Sequence, residues 1–298
     1  MTTTIGGHSL RTLVCGRVPT TTLVPTMNLS VPPGAERPGF VDLDWNGAPL
    51  WLELAWVGAP CSTHPTIVFL HEGLGSVALW KDFPERFCST WGFSGLVFSR
   101  YGYGRSSPRP HDVPLPPEFM ERQAAEVLPA LLTRLGLARP WLFGHSDGAS
   151  IALLHASRAG ADLAGVVAMA PHVMVEDVSL DAIRAARHAY LDGPLRARLA
   201  PYHQDVDSAF WGWNDVWLSP AFRRWDMRAR LAHITAPLLA IQGEDDEYGS
   251  LEQVRTIGRL APRAQVVILP GCGHSPHRDA PARVIELAGR FMLGHQNE

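Results

Sequence analysis

From residue 39 onward, short apolar runs alternate with stretches whose apolar residues recur at helical spacing. The first two runs, Gly39 to Asp44 and Leu50 to Val57, are strand-like and are joined through Asn46-Gly47, a hairpin signal. Short buried strands are predicted at Thr66 to Leu70, Ser94 to Ser99, Pro140 to Phe143, Ala164 to Ala170, Pro237 to Gln242 and Gln265 to Leu269. Helical spacing occupies the intervals: Ala78 to Thr90, Pro117 to Leu135 with Gly136 ending it, Ala149 to Ala156, Ser250 to Leu260 and Pro281 to Leu293. Strands alternating with helices predict an α/β fold. Its sheet has eight strands, is mostly parallel, is led by an antiparallel hairpin and is covered on both faces by helices.

The alternation breaks between residues 173 and 234, where only helices are predicted: Ser179 to Ala189, Pro194 to Tyr202, Asp205 to Leu218 and Ala221 to Leu231. This stretch holds Trp211, Trp213, Trp217 and Trp225, four of the ten tryptophans. A helical insert of this size suggests a lid over the carboxyl ends of the strands, although packing against the core explains any single tryptophan equally well. Residues 1–38 differ again. They are rich in Thr, Pro and Gly, lack periodicity and are expected to form a disordered or surface-draped tail. The expected organisation is therefore a core of residues 39–172 and 235–298 with a helical lid at 173–234.

Composition narrows the functional classes. The 298 residues are 46% hydrophobic and carry a formal charge of -3, which leaves no electrostatic footprint for nucleic acid. No run is long enough for a transmembrane helix, so no membrane partner is expected. The four cysteines, Cys15, Cys61, Cys88 and Cys272, are scattered without metal-ligand spacing. They fit a reducing compartment, and a cytoplasmic location is expected. Neither a metal nor a cofactor is implied. The expected partner is a small-molecule substrate, on a monomer or homodimer.

The most informative segment is Gly144-His145-Ser146-Asp147-Gly148, a serine between two glycines, with an apolar run before it and a helix after it. Such a turn strains the serine backbone, exposes the hydroxyl and places it at the positive end of the following helix. A serine hydroxyl needs a base within hydrogen-bond reach. Of thirteen histidines, His274 stands out, on a glycine-flanked loop between the last strand and the last helix. His277 is the runner-up, and His145 is read as packing. The imidazole in turn needs a carboxylate, and Glu244-Asp245-Asp246-Glu247 offers four after a buried strand.

These motifs, over roughly residues 39 to 296, resemble the α/β-hydrolase family, whose catalytic residues run in the order Ser, acid, His. The resemblance places the acid three residues after Gly243, which selects Asp246 over Asp245, with Glu176 or Asp177 as a remote third. It also implies an oxyanion hole built from the backbone N–H of Asp147 and one from the loop after the third strand. There His71 and Trp80 keep the family's nine-residue spacing, which puts Gly73 at the donor position, with Leu74 as the alternative. Two departures stand out. Glu72 replaces the usual glycine, implying a different loop conformation or a carboxylate that braces the loop. Arg100 opens the loop Arg100-Tyr101-Gly102-Tyr103-Gly104, where the family normally has Asp. That Gly-x-Gly lacks the later glycine, the helix and the acid of a nucleotide site.

The resemblance implies a serine hydrolase. The aromatic lid and the near absence of Lys favour an ester or thioester of a compact apolar or aromatic acyl group, with Glu72, Trp211, Trp213 and Trp217 as substrate contacts. The lid arginines fit solvated helix faces better than a clamp for a polyanion. Hydrolysis of the carbon–carbon bond of meta-cleavage products is an alternative, although those enzymes usually carry Asn and Met where this chain has His145 and Asp147. A hydrolase-like ligand receptor is a further alternative.

Overall fold

The computed structural model describes residues 39–58 and 64–295. The tail expected at residues 1–38 lies outside them, as do Cys15 and Cys61. Strands β1 (Phe40–Trp45) and β2 (Ala48–Val57) form the leading hairpin, with Asn46 and Gly47 at φ 57° and 76°. Two consecutive positive φ values define the turn that Asn-Gly favours. Then follow β3 (Ile67–Leu70), α1 (Phe83–Trp91), β4 (Gly95–Phe98), α2 (Phe119–Arg122), α3 (Leu128–Arg134), β5 (Trp141–His145), α4 (Asp147–Ala156) and β6 (Gly165–Met169). The chain continues through α5 (Asp177–Leu191), α6 (Leu195–Leu199), α7 (Val206–Trp217), β7 (Leu238–Gly243), α8 (Glu252–Leu260), β8 (Ala264–Leu269), α9 (Pro276–Asp279) and α10 (Pro281–Gly294).

The eight strands form one sheet in the order β1-β2-β4-β3-β5-β6-β7-β8. Strand β2 is antiparallel to both β1 and β4, and every later pairing is parallel. The order reverses around β3, so the loops after β3 and β5 part at the carboxyl edge and leave a crevice there. Alternating side chains of each strand feed different faces. In β5, Leu142 joins a core with α2, α4 and α8, while Trp141 and Phe143 join a second core with α1 and α10.

Three predicted helices are interrupted. Between Ala78 and Thr90 a 3-10 turn (Ala78–Trp80) stops at Lys81, whose φ of 55° and ψ of -135° are not helical, and α1 starts afresh with Pro84 in its first turn. The helix predicted over Pro117 to Leu135 contains a π turn, Gln123–Val127, just ahead of Pro129, which has no N–H to offer a preceding carbonyl. The helix predicted over Ala221 to Leu231 is two 3-10 turns, Phe222–Arg224 and Arg228–His233. Trp225 between them is extended, stacks on Phe222, donates its indole N–H to Glu121 and accepts the N–H of Val175 through its carbonyl. Side-chain anchoring and pairing with residues 174–175 outweigh local helical spacing here.

The tightest packing lies where α4 crosses the sheet edge. A Cβ added to Gly148 would sit 2.1 Å from the carbonyl oxygen of Leu70, and one added to Gly144 would sit 2.5 Å from the Cα of Ala149. Both obstacles are backbone and cannot rotate away. Gly148→Ala is therefore expected to destabilise the fold by about 1–3 kcal/mol, measured by urea denaturation. An unchanged unfolding midpoint would show that α4 does not press on β3 in this way.

Candidate active site

Ser146 stands between β5 and α4 with φ 51° and ψ -121°, a left-handed conformation for a residue with a side chain. Its N–H is tied to the carbonyl of Met169 at 2.9 Å, and the two flanking glycines allow the turn. The hydroxyl thus stands at the N-terminus of α4, toward the crevice between the β3 and β5 loops.

His274 lies between β8 and α9, with its Nε2 2.9 Å from Ser146 Oγ and its Nδ1 2.8 Å from Asp246 Oδ1. The carboxylate accepts the Nδ1 proton, which leaves Nε2 of the neutral ring free to accept from the serine hydroxyl. Asp246 is fixed as well. Its Oδ1 accepts the N–H groups of Tyr248 and Gly249 at 2.9 and 3.2 Å, and its Oδ2 accepts from Gln242 Nε2 at 3.1 Å. Burial raises its pKa, but the His274 hydrogen bond and charge, with the Tyr248 N–H, outweigh that and hold it below the usual carboxylate value. The His274 backbone is pinned from two sides: its carbonyl accepts from His145 Nε2 at 2.7 Å, and its N–H donates to Glu247 Oε2 at 3.1 Å.

The other sequence candidates lie elsewhere. His277 is buried against Trp80 and His145, with centroids 5.0 and 4.8 Å away, and not on Ser146. Asp245 uses its N–H to reach the carbonyl of Cys272, Glu176 accepts from Ser250 and Gln253, and Asp177 pairs with Arg223. His145 does more than pack: besides holding the His274 carbonyl, its Nδ1 lies 3.6 Å from Glu72 Oε2. Glu72 in turn meets Arg278 at 3.2 Å. Burial opposes its ionisation, yet His145 and then Arg278 hold its pKa well below the ordinary value. The carboxylate braces the β3 loop.

A cavity of about 210 Å³ opens over Ser146. Gly73, Leu74, Asp147, His145 and His274 line it from below, and Ile183, Leu199, Trp213 and Trp217 from the helical insertion. Trp213 and Trp217 are four residues apart on α7 and share one face. Trp211 does not line the cavity, which corrects the expectation from sequence. Two residues from Trp213, it points to another side of the helix, packs edge-on against Tyr190 and Phe210 and lies under the Arg187 guanidinium. Trp213 roofs Gly73 so closely that a Cβ there would fall 2.2 Å from its Nε1. Five arginines of the insertion bond to acids: Arg184 to Asp181, Arg187 to Asp215, Arg196 to Asp207, Arg223 to Asp177 and Arg228 to Asp226. Among the described residues, Arg278 is the one arginine or lysine lining the cavity.

Sequence reasoning missed Arg278, Glu247, Tyr248 and His172 as cavity residues. The first three sit within four residues of His274 or Asp246, a proximity that could have flagged them. His172 follows β6 and carried no such signal. Among the described residues, no group of three His, Cys, Asp or Glu side chains is placed to hold a metal ion.

Residues 67–287 match the alpha/beta hydrolase family. The chain belongs to that family. It is 24% identical over 253 residues to the 2-succinyl-6-hydroxy-2,4-cyclohexadiene-1-carboxylate synthase of Enterobacter sp. strain 638, covering 76% of this chain and 92% of that one. Among solved structures it is similar to a thermophilic esterase from Thermogutta terrifontis, with a TM-score of 0.68 and 19% identity over 86% of this chain and 99% of the other. It is also similar to a meta-cleavage product hydrolase from Pseudomonas fluorescens, with a TM-score of 0.60 and 15% identity over 85% and 97% of the two chains. The similar structures thus include both an esterase and a meta-cleavage product hydrolase.

The buried histidines around the site make stability pH-dependent. Burial is the leading cause that pushes His71, His155, His172, His203 and His277 below the ordinary value of 6.5, His172 to about 3. Their contribution is complete above pH 6.5, because both states are then neutral. As pH falls below 6.5 the unfolded chain takes up protons that the folded one refuses, and stability declines toward the folded pKa values. Asp147, raised by burial, opposes this with a single group at lower pH. The melting temperature is expected to fall steadily from pH 7 to pH 5. A flat profile over that range would contradict the burial of these rings.

Proposed function

We propose that this chain is a serine hydrolase that cleaves an ester or thioester of a compact apolar or aromatic acyl group through an acyl-enzyme. The observation that carries this reading is the continuous relay Ser146 Oγ–His274 Nε2 and His274 Nδ1–Asp246, with each link under 3 Å. Ser146 attacks the carbonyl carbon while His274 takes the hydroxyl proton, and Asp246 stabilises the imidazolium that forms. His274 then passes that proton to the leaving alcohol or thiol. Water, activated by the same ring, adds to the acyl-enzyme and releases the acid. The N–H groups of Gly73 and Asp147 serve as oxyanion donors. Trp213, Trp217, Ile183, Leu199, Leu74 and Leu79 line the acyl site. A volume of about 210 Å³ lies below the ~300–1,000 Å³ of drug-sized pockets, which favours a short acyl chain or a single ring.

A panel of p-nitrophenyl and coenzyme A esters tests the reading, with the dienone of a meta-cleavage reaction as competitor. Turnover of a short-chain ester is expected, and Ser146→Ala should lower kcat by about ten-thousandfold to a millionfold with the fold intact. Turnover of the dienone alone would assign the carbon–carbon reaction instead, and a folded protein that turns over nothing would leave only a receptor. Acyl selectivity gives a separate check. Leu199→Ala is expected to raise kcat/KM for the hexanoate over the butyrate ester by about tenfold, the scale of a methylene in an apolar pocket. An unchanged ratio would place the acyl group elsewhere.

A further inference from the structure

Arg100 immediately follows the loop's first residue after β4 and is 2% exposed, so a fixed positive charge is enclosed in the protein. Burying a guanidinium is costly unless its donors are met by acceptors and its charge by an anion. Both are present. Its Nη2 donates to the carbonyl oxygen of Glu72 at 2.8 Å and lies 3.9 Å from Asp147 Oδ2, and the guanidinium lies over the Tyr103 ring at 4.7 Å. Its backbone N–H donates to His71 Nε2 at 2.9 Å. His71 therefore carries its proton on Nδ1, which donates to the same Glu72 carbonyl at 2.7 Å.

We propose that Arg100 is a positioning residue for the oxyanion site, acting on both of its backbone donors. The inference rests on the serine-hydrolase reading of Ser146. The peptide between Glu72 and Gly73 is planar and trans, so its C=O and N–H point in opposite directions. Three donors grip the carbonyl: Arg100 Nη2, His71 Nδ1 and, at 3.0 Å, the backbone N–H of Gly75. The Gly73 N–H is thereby turned away from them, toward the cavity that Gly73 lines with Ser146. Donation to the carbonyl by a charged group also polarises the peptide and strengthens its N–H as a donor.

The second effect concerns Asp147. Its backbone N–H begins α4 beside Ser146, but its carboxylate is 1% exposed and sits close to the same place. An uncompensated negative charge there would oppose the oxyanion that the two N–H groups are arranged to hold. Arg100 supplies the compensating charge, and Trp217 Nε1 donates to Asp147 Oδ1 at 3.2 Å. A lysine has one compact ammonium and could not present a planar set of donors to a carbonyl and a carboxylate together. The buried arginine after β4 and the acid after the serine thus form one device.

The test uses the paired variant Arg100→Met with Asp147→Asn, which removes the guanidinium without stranding a buried carboxylate. With a short p-nitrophenyl ester, kcat is expected to fall about a hundredfold, the scale of losing an oxyanion donor, while KM changes less than about twofold. Affinity for an aryl trifluoromethyl ketone, which forms a tetrahedral adduct on the serine, should fall by the same factor as kcat. A folded paired variant with kcat within about twofold of the wild type would overturn the proposal. The second measurement needs no variant: the structure of the wild-type protein carrying a phosphonate on Ser146. Its phosphoryl oxygen is expected about 2.7–3.1 Å from the N atoms of Gly73 and Asp147, with Glu72 O still held by Arg100. An oxygen met by other donors, or a Glu72 carbonyl turned into the cavity, would refute the role of Arg100 alone. A wild-type protein that takes no phosphonate would instead bring down the serine-hydrolase reading and this inference with it.

Discussion

The near contact between α4 and the ends of β3 and β5 is the constraint on which the rest of the site depends. Gly148 brings the first turn of α4 against the carbonyls of Leu70 and His71, and Gly144 brings β5 against Gly148 and Ala149. Only a chain without Cβ atoms at those two positions can turn so tightly, and Ser146 at the apex takes a positive φ as a result. The same turn aligns three things: the serine hydroxyl, the N–H groups at the start of α4, and the β3 loop that carries Gly73. Strain at one residue is held in place by the parallel pairing of β5 with β3 and β6 on its two sides.

Around that turn, the polar groups act as a support for the loops rather than as isolated pairs. His145 holds the carbonyl of His274, Glu72 faces His145, and Arg278 on α9 reaches back to Glu72. The β3 loop, the β5 turn and the β8 loop are therefore connected in a ring of contacts beside the Ser146–His274–Asp246 relay. Burial raises the importance of each link, because an unmatched polar group in this setting costs more than it would at the surface. The helical insertion closes the space above with Trp213 and Trp217, and Asp205 fixes the start of their helix by accepting the N–H of Ser208. The floor provides polar contacts and the roof provides apolar ones.

Much of this was legible from residue patterns. The strand alternation, the Asn46-Gly47 hairpin, the glycine-flanked Ser146 and the glycine-flanked loop of His274 each carry a local signal with a physical cause, whereas Asp246 was singled out from four neighbouring acids by the family resemblance. The interruptions at Lys81, at the π turn before Pro129 and at Trp225 were not legible, since tertiary anchoring decided them against helical spacing. Trp211 shows a related limit: a tryptophan-rich helix implies an apolar roof, but only the helix phase tells which rings face the cavity. The meaning of Glu72 and Arg100 was hidden for another reason. Each departs from the family pattern alone, and their fit becomes visible only when the loops after β3 and β4 lie side by side.

The central claim is that Ser146 forms a covalent acyl intermediate. Mixing the wild-type protein with excess p-nitrophenyl butyrate, quenching in acid within milliseconds and mapping the adduct by peptide mass spectrometry tests it most directly. The expected result is a butyryl group on the peptide containing Ser146, with a burst of p-nitrophenol that does not exceed one equivalent per chain and neither signal in Ser146→Ala. Ester turnover with an unmodified Ser146 peptide, under conditions where deacylation is slowed enough to trap the intermediate, would contradict it.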